Sequence, residues 1–298
     1  MKKYGLTALI AVLTVNFGTS FGLLKYKQND TIRICTYNIR RMGSETNAKN
    51  LWQNRKDLVF DMIKTTIQPD IIGFQEVVKE QLQDLQTVLS VLSNYDSFGE
   101  PRSTKTKGWL QRWVMKHPKA KDEYNPIFYD KNKFELLKSD TFGINPRAHF
   151  LTAYLPRVCT WGLFKDLQTG KKFYVYNTHL DNSSSLIRKR QMSQILKHVE
   201  KKTKGERTIL VGDFNNRFKG RSKQRKLNRY GFVNSKKVAQ ITEGPEETRT
   251  GWNNSEFKII DYIFVKPQST IVKKHVVVAS PEGVFPSDHR PVYIDVVE

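Results

Sequence analysis

The sequence predicts an α+β protein in which two mixed β-sheets pack face to face with helices on their outer sides, a four-layer α/β sandwich. Three observations carry this expectation. Strand-like and helix-like apolar periods alternate through the first hundred residues, strands dominate after Ile127, and strands close the chain at its C-terminal end.

Taken in order, Thr31 to Asn38 sets apolar residues at Ile32 and Ile34 and ends in a polar group, as a strand leading to a site would. Leu51, Leu58, Val59, Met62 and Ile63 follow helical spacing, and that helix should stop near Gln68-Pro69. Ile71-Ile72-Gly73-Phe74 reads as a short buried strand, and Leu82, Leu85, Val88, Leu89 and Leu92 as a second helix. Strands are expected at 127–129, 133–138, 157–165, 172–178 and 207–212. A helix at 184–202, marked by Ile187, Ile195, Leu196 and Val199, interrupts them. Strands return at 258–265, 271–278 and 291–297. No repeat and no linker divides residues 30–298, so one domain is expected there.

The chain is long enough for a sizeable core, and its 38% hydrophobic content without low-complexity segments excludes a disordered protein. The net charge of +21 suits a polyanionic partner: nucleic acid, an acidic membrane face or a phosphorylated small molecule. Lys2 and Lys3 precede an apolar run from Leu6 to Phe17, then Gly18, Thr19 and Ser20. That is the layout of a secretory signal peptide over residues 1–20, with an uncleaved anchor or a buried first helix as the alternatives. The run is shorter than the roughly 20 apolar residues that span a bilayer. A secreted or periplasmic protein is therefore expected, with a charge of about +19 once the two lysines are removed. Cys35 and Cys159 each lie in an apolar strand without metal-site spacing, so free buried thiols are expected, a disulfide being the alternative.

The chemistry sits where the apolar strands stop. Asn38 and Glu76 follow the first two strands, His179 and Asp181 follow 174–178, and Asp213 and Asn215 follow 209–212. Asp261 is expected inside the strand 259–264, and Asp288-His289 precedes the last strand. A lone aspartate after a strand is usually a turn residue. An acid inside an apolar strand is costly to bury unless paired. Phosphate-ester hydrolysis needs groups that neutralise the non-bridging oxygens, orient water and assist the leaving oxygen. Glu76 and Asp288 offer hard oxygens suited to Mg²⁺ or Mn²⁺. Asp213 with Asn215 suits orienting a water and gripping a phosphate oxygen. His289 held by Asp261 would be a stable cationic donor.

The stretches Gly73-Phe74-Gln75-Glu76, Asn177-Thr178-His179-Leu180-Asp181, Gly212-Asp213-Phe214-Asn215-Asn216, Ile260-Asp261-Tyr262 and Ser287-Asp288-His289-Arg290-Pro291-Val292 follow one another in this order. The series resembles the motifs of the endonuclease/exonuclease/phosphatase superfamily from about Thr31 to the C-terminus. The resemblance implies a DNase I-like fold and a divalent-metal-dependent phosphoesterase. It makes Glu76 the principal metal ligand with Asn38 and Asp288 close by. Asp213 would activate water beside Asn215, and His289, oriented by Asp261, would contact the phosphate. His179 would assist the leaving group, as in the DNase-like and sphingomyelinase-like branches. Arg157, Thr160, Trp161, Asp181 and Arg188 are similar to motifs of a bacterial subgroup, in which Arg157, Asp181 and Arg188 would serve substrate binding. Two departures stand out: a degraded segment at 141–145, where the subgroup carries a tryptophan, and extra sequence between Gly99 and Tyr124.

Two basic segments bear on the substrate. Residues 217–229 hold seven cations, from Arg217 onward, and no acid. At the rim of the site they would favour an extended polyanion, the alternative being a solvated loop. Residues 102–121 mix cations with Trp109, Leu110, Trp113 and Val114, as an anionic-membrane or base-stacking segment would, or a cover for core. The leading expectation is a secreted nuclease, acting on DNA rather than RNA. A phospholipid phosphodiesterase or phosphoinositide phosphatase is the alternative, and a non-catalytic polyanion-binding module is the third. Nothing in the sequence demands a partner subunit, so a monomer is expected.

Overall fold

Strand β1 (Thr31–Asn38) shows how the layers arise, because its alternate side chains enter different cores. Ile32 and Ile34 face one apolar cluster while Cys35 and Tyr37 face another. The chain then forms α1 (Trp52–Asp61), a π-helical turn over Met62–Ile67, β2 (Ile71–Gln75), α2 (Lys79–Ser93), β3 (Tyr95–Phe98) and β4 (Ile127–Asp130). The first helix ends at Gln68 in a left-handed conformation, next to Pro69, close to the expected stop. There follow β5 (Phe134–Gly143), β6 (Val158–Asp166), β7 (Lys172–His179), α3 (Ser185–Thr203), β8 (Thr208–Asp213) and α4 (Arg221–Arg229). The last elements are β9 (Val233–Asn234), α5 (Ser235–Val238), β10 (Ala239–Glu243), β11 (Asp261–Lys266), β12 (Val272–Val277) and β13 (Val292–Val297). The computed structural model describes residues 31–105, 116, 122–145, 155–218, 221–280 and 283–297. The expected signal peptide at 1–20 and most of the 102–121 segment lie outside the described residues.

The strands form two mixed sheets, of seven strands in the order β10-β12-β13-β1-β2-β4-β3 and of six in the order β5-β6-β7-β8-β11-β9. Three apolar cores glue four layers. Tyr37, Phe74 and Phe128 of the larger sheet pack on Val59, Phe60, Leu85 and Leu89 of the first two helices. Ile34, Ile71 and Ile294 meet Val175, Val211 and Ile263 between the sheets. Tyr176, Leu210 and Phe264 of the smaller sheet meet Ile195, Leu196 and Val199 of α3. This is the expected four-layer, DNase I-like arrangement. Cys35 lies in the first core and Cys159 in the third, both as free buried thiols. Among the described residues no helix is long and apolar enough to cross a membrane.

One strand starts later than expected. Ile259 and Ile260 precede β11, which opens at Asp261. Thr248 explains this, because its Oγ1 accepts from the amides of both Ile260 and Asp261 at 3.0 Å, replacing ladder bonds. Gly73 sits where the sheets come closest. A Cβ there would lie 2.7 Å from Asn177 Cγ and 2.8 Å from Val211 Cγ2.

Candidate active site

The period-two alternation that builds the inter-sheet core also builds the site. On the face carrying Val175, Val211 and Ile263, the strand ends place His179, Asp213 and Asp261. Register lines them up: His179 pairs with Asp213 across β7 and β8, and Asp213 with Asp261 across β8 and β11. On the facing sheet, Asn38 continues the row of Ile32 and Ile34 and pairs with Gln75, the residue before Glu76. A buried polar layer lies beneath. Gln75 Nε2 donates to Thr36 Oγ1 at 3.0 Å and to Asn177 Oδ1 at 2.7 Å, while Asn177 Nδ2 donates to the carbonyls of Phe74 and Pro126. These bonds hold the two sheets in fixed relation under the site.

The turn bearing Asp288 and His289 is tied to β1. Ser287 Oγ donates to Asn38 O at 2.7 Å and accepts from His289 N at 3.2 Å. Buried Arg55, between Trp52 and Trp252, donates to the carbonyls of Ile39, Arg40, Asn50 and Pro286, clamping the Arg40 loop to this turn. Arg40, Glu76 and Asn215 all have positive φ (56°, 59° and 47°), and all three lie at the site. Such backbone concentrates where side chains must be aimed against local preference.

Asp213 is the point of convergence. Its Oδ2 accepts from Asn38 Nδ2 at 3.1 Å and lies 3.6 Å from His179 Nε2 and 3.9 Å from His289 Nε2. Its Oδ1 accepts from the Asn215 amide at 2.8 Å. Burial, then the charge of Asp261, pushes the Asp213 carboxyl up to about 7, the range of a general base. His289 is buried, which disfavours its charged form. Asp261, 2.9 Å and 3.1 Å from Nδ1, outweighs that with Asp288 and raises it to about 10. The pair is thus an imidazolium–carboxylate unit aimed at Asp213. Burial also opposes ionisation of Glu76, but the charges of Arg40 and His289 and the Asn38 amide at 3.1 Å hold its carboxyl well below the usual range.

His179 is set up differently. Arg157 Nη1 lies 3.0 Å from its Nδ1 and the Asn215 side-chain nitrogen 3.0 Å from its Nε2, so both ring nitrogens face a donor. Burial and the Arg157 charge push its pKa well down. His179 is therefore neutral, with Nε2 3.6 Å from Asp213 Oδ2. Arg157 also reaches Glu123 at 3.4 Å, as do Arg41 and Arg102 at 3.2 Å each. Glu123, Arg41 and Arg102 were not legible as site residues. Arg40 and Arg249, which approach Asp288 Oδ2 at 4.0 Å and 3.5 Å, were missed as well. The nearest signal was an Asp122-Glu123 pair closing a basic run.

The residues present fit a hard divalent cation. Glu76 and Asp288 face the same space around Arg40, and buried Asp288 Oδ1 has no hydrogen-bond partner among the described residues. Asn38 joins Glu76 to Asp213 through Nδ2, with its Oδ1 taking the Arg40 amide at 3.0 Å. Asp213, Asp261 and His289 form a second buried acidic/His group, their ligand atoms within 4.8 Å of one another. With His289 protonated and its Nδ1 engaged by Asp261, that trio suits phosphate contact and water activation better than cation binding.

The remaining expected residues lie around this centre. Asp181 Oδ1 accepts from the amides of Ser183 and Ser184 and from the Ser183 hydroxyl, shaping the turn into α3. Arg188 donates to Asp181 O at 3.0 Å. Arg217 is exposed and donates to Phe257 O at 2.7 Å. Thr160 and Trp161 are buried structural residues, Thr160 Oγ1 lying 3.0 Å from Thr141 Oγ1 and Trp161 stacking on Tyr176.

Known proteins share this fold. The sequence matches the Endonuclease/Exonuclease/phosphatase family over residues 35–289. A solved endonuclease/exonuclease/phosphatase from Bacteroides vulgatus is 30% identical with a TM-score of 0.74, covering 89% of this chain and 98% of that one. A mannosyl-6-phosphatase of Bacteroides thetaiotaomicron is 27% identical with a TM-score of 0.73, covering 90% of this chain and all of the other (100%). An uncharacterized protein, L388, of Acanthamoeba polyphaga mimivirus is 29% identical over 177 residues, 55% of this chain. The match spans 59% of that viral protein's length.

Proposed function

The chain belongs to the Endonuclease/Exonuclease/phosphatase family of phosphoester hydrolases, and from that premise we propose that it is a divalent-metal-dependent phosphodiesterase acting on DNA outside the cytoplasm. The observation that carries the hydrolytic reading is the convergence of Asn38, His179 and His289 on Asp213, with Glu76 and the unpartnered Asp288 oxygen alongside. Glu76 and Asp288 would hold Mg²⁺ or Mn²⁺, with Asn38 fixing Glu76; the bound cation would offset charge on the phosphate oxygens. Asp213, raised to about 7, takes the proton of the attacking water. His289, charged and fixed by Asp261, donates to a non-bridging phosphate oxygen. His179, bonded by Arg157 at Nδ1, would present Nε2–H to the leaving oxygen.

Support for a nucleic-acid substrate comes from the net charge of +21 and from the acid-free 217–229 segment, whose residues 221–229 form α4. Support for export comes from the charged, apolar and small-residue succession of residues 1–20. A second reading, a phosphatase of sugar phosphates, is favoured by the likeness to the mannosyl-6-phosphatase over 90% of this chain. The phospholipid alternative leans on residues 102–121, most of which lie outside the described residues.

One experiment separates the nuclease from the sugar phosphatase. Plasmid DNA, a single-stranded oligonucleotide and mannose 6-phosphate are each incubated with the protein and Mg²⁺, Mn²⁺ or EDTA. Metal-dependent DNA cleavage supports the nuclease. Phosphate release from the sugar with intact DNA would replace it by the phosphatase.

A further inference from the structure

Beside the catalytic cluster lies a cleft of about 430 Å³ between α3 and α4, within the roughly 300–1,000 Å³ of small-molecule sites. Its floor is apolar, from Leu180, Met192 and Phe218, and its rim is cationic, from Arg188, Lys189 and Lys226. Among the described residues no carboxylate lines it. The floor is continuous with the catalytic residues. Leu180 follows His179 in the chain, its amide donates to Asp213 O at 2.9 Å, and its carbonyl accepts from Asn215 Nδ2 at 3.0 Å.

The helices are held so that their cations face one another. Lys226 Nζ bonds Ser193 Oγ across the two helices, and Leu227 is buried in the core beneath. Arg188 is braced on Asp181 O, while Lys189 is exposed. Burial, and then the like charges of Lys189, Lys197 and Arg229, depress the Lys226 ammonium below its ordinary pKa. Cations crowded without an acid among them repel one another, and a bound anion relieves that repulsion.

We propose that this cleft is a second-phosphate subsite for single-stranded nucleic acid. The nucleotide next to the scissile phosphate lays its base on Leu180, Met192 and Phe218. Its own phosphate sits among Arg188, Lys189 and Lys226. The apolar floor beneath a cationic rim matches an unpaired base attached to a phosphate, and gives a longer strand an advantage over a single nucleotide. This subsite rests on the nuclease reading above.

The test compares the protein with its Lys189→Ala/Lys226→Ala variant on two substrates. One is the p-nitrophenyl ester of thymidine 5′-phosphate, with a single phosphate; the other is a single-stranded oligothymidylate. The oligomer's kcat/KM should fall about tenfold more than the small ester's. The slope of log kcat/KM against log salt on the oligomer should become shallower by about 0.7, the value for one phosphate contact on a single strand. A Lys189→Glu variant, on an exposed position, should lower oligomer preference without altering the melting temperature. Oligomer cleavage with unchanged preference and salt slope in the variants would overturn the subsite while leaving the nuclease standing. Hydrolysis of the small ester without any oligomer cleavage would overturn both.

Discussion

Replacing Asp261 by asparagine keeps the shape beside His289 and removes one charge. That carboxylate lies 2.9 Å from His289 Nδ1 and is the main reason the imidazole stays charged despite burial. A pKa of about 10, against an ordinary value of about 6.5, corresponds to about 5 kcal/mol in favour of the imidazolium. The sign follows directly. His289 is protonated below its folded pKa, so phosphate contact is lost as pH rises through about 10 in the parent protein. In Asp261→Asn it should be lost near or below an ordinary histidine value, because burial is then less opposed. At pH 9 the variant's kcat/KM should fall by roughly two to three orders of magnitude. Asp213 also loses the Asp261 repulsion that, after burial, raises it to about 7. Its ionisation therefore extends to lower pH, and the loss should shrink towards pH 5.5. The assay is kcat/KM for bis(p-nitrophenyl) phosphate from pH 5 to 10 at saturating Mg²⁺. A loss of the same size at every pH would refute the reasoning, because it would make Asp261 a packing residue only.

Three further outcomes are expected. Buried His275, bonded to Ser235 at 2.9 Å, has its pKa lowered by burial to about 4. The unfolded chain then takes up this proton near pH 6.5 and the native one only near 4, so stability falls with pH across that window, by about 3 kcal/mol in all. Urea melts at pH 7 and 4.5 should show a smaller pH effect in His275→Asn. Gly73→Ala should cost about 1–3 kcal/mol, because the new methyl would meet Asn177 and Val211 between the sheets. Activity should drop with it as the polar layer shifts, which thermal melts and kcat would register together. Mg²⁺ at a hundred times its dissociation constant should stabilise the protein by about 2.7 kcal/mol. Asp288→Asn should abolish that gain; an unchanged Mg²⁺-induced rise in melting temperature would remove Asp288 from the cation site.

Much of the site was legible because it continues the strand periodicity. Asp213 and Asp261 extend the rows of Val211 and Ile263, so their types and positions could be read before their register was known. The Asp261–His289 pair followed from the cost of burying an acid alone. What escaped was decided by tertiary closure. Glu123 meets Arg41, Arg102 and Arg157 from three distant segments, and no local pattern marks such a meeting. Arg40 reaches the site through a left-handed backbone that its residue type does not favour. Strand β10 carries mostly exposed side chains and pairs in parallel with β12 at a sheet edge, so it lacks an apolar alternation to read. Helix α4 is nearly all polar, and Leu227 is its single buried apolar anchor among the described side chains.

The most direct test of the central claim is hydrolysis of bis(p-nitrophenyl) phosphate by the purified protein and its His289→Ala variant, each with Mg²⁺, Mn²⁺ or EDTA. The account predicts turnover with a divalent cation, none in EDTA, and a loss of at least about a hundredfold in the variant. Equal turnover in EDTA, or a variant as active as the parent, would contradict it.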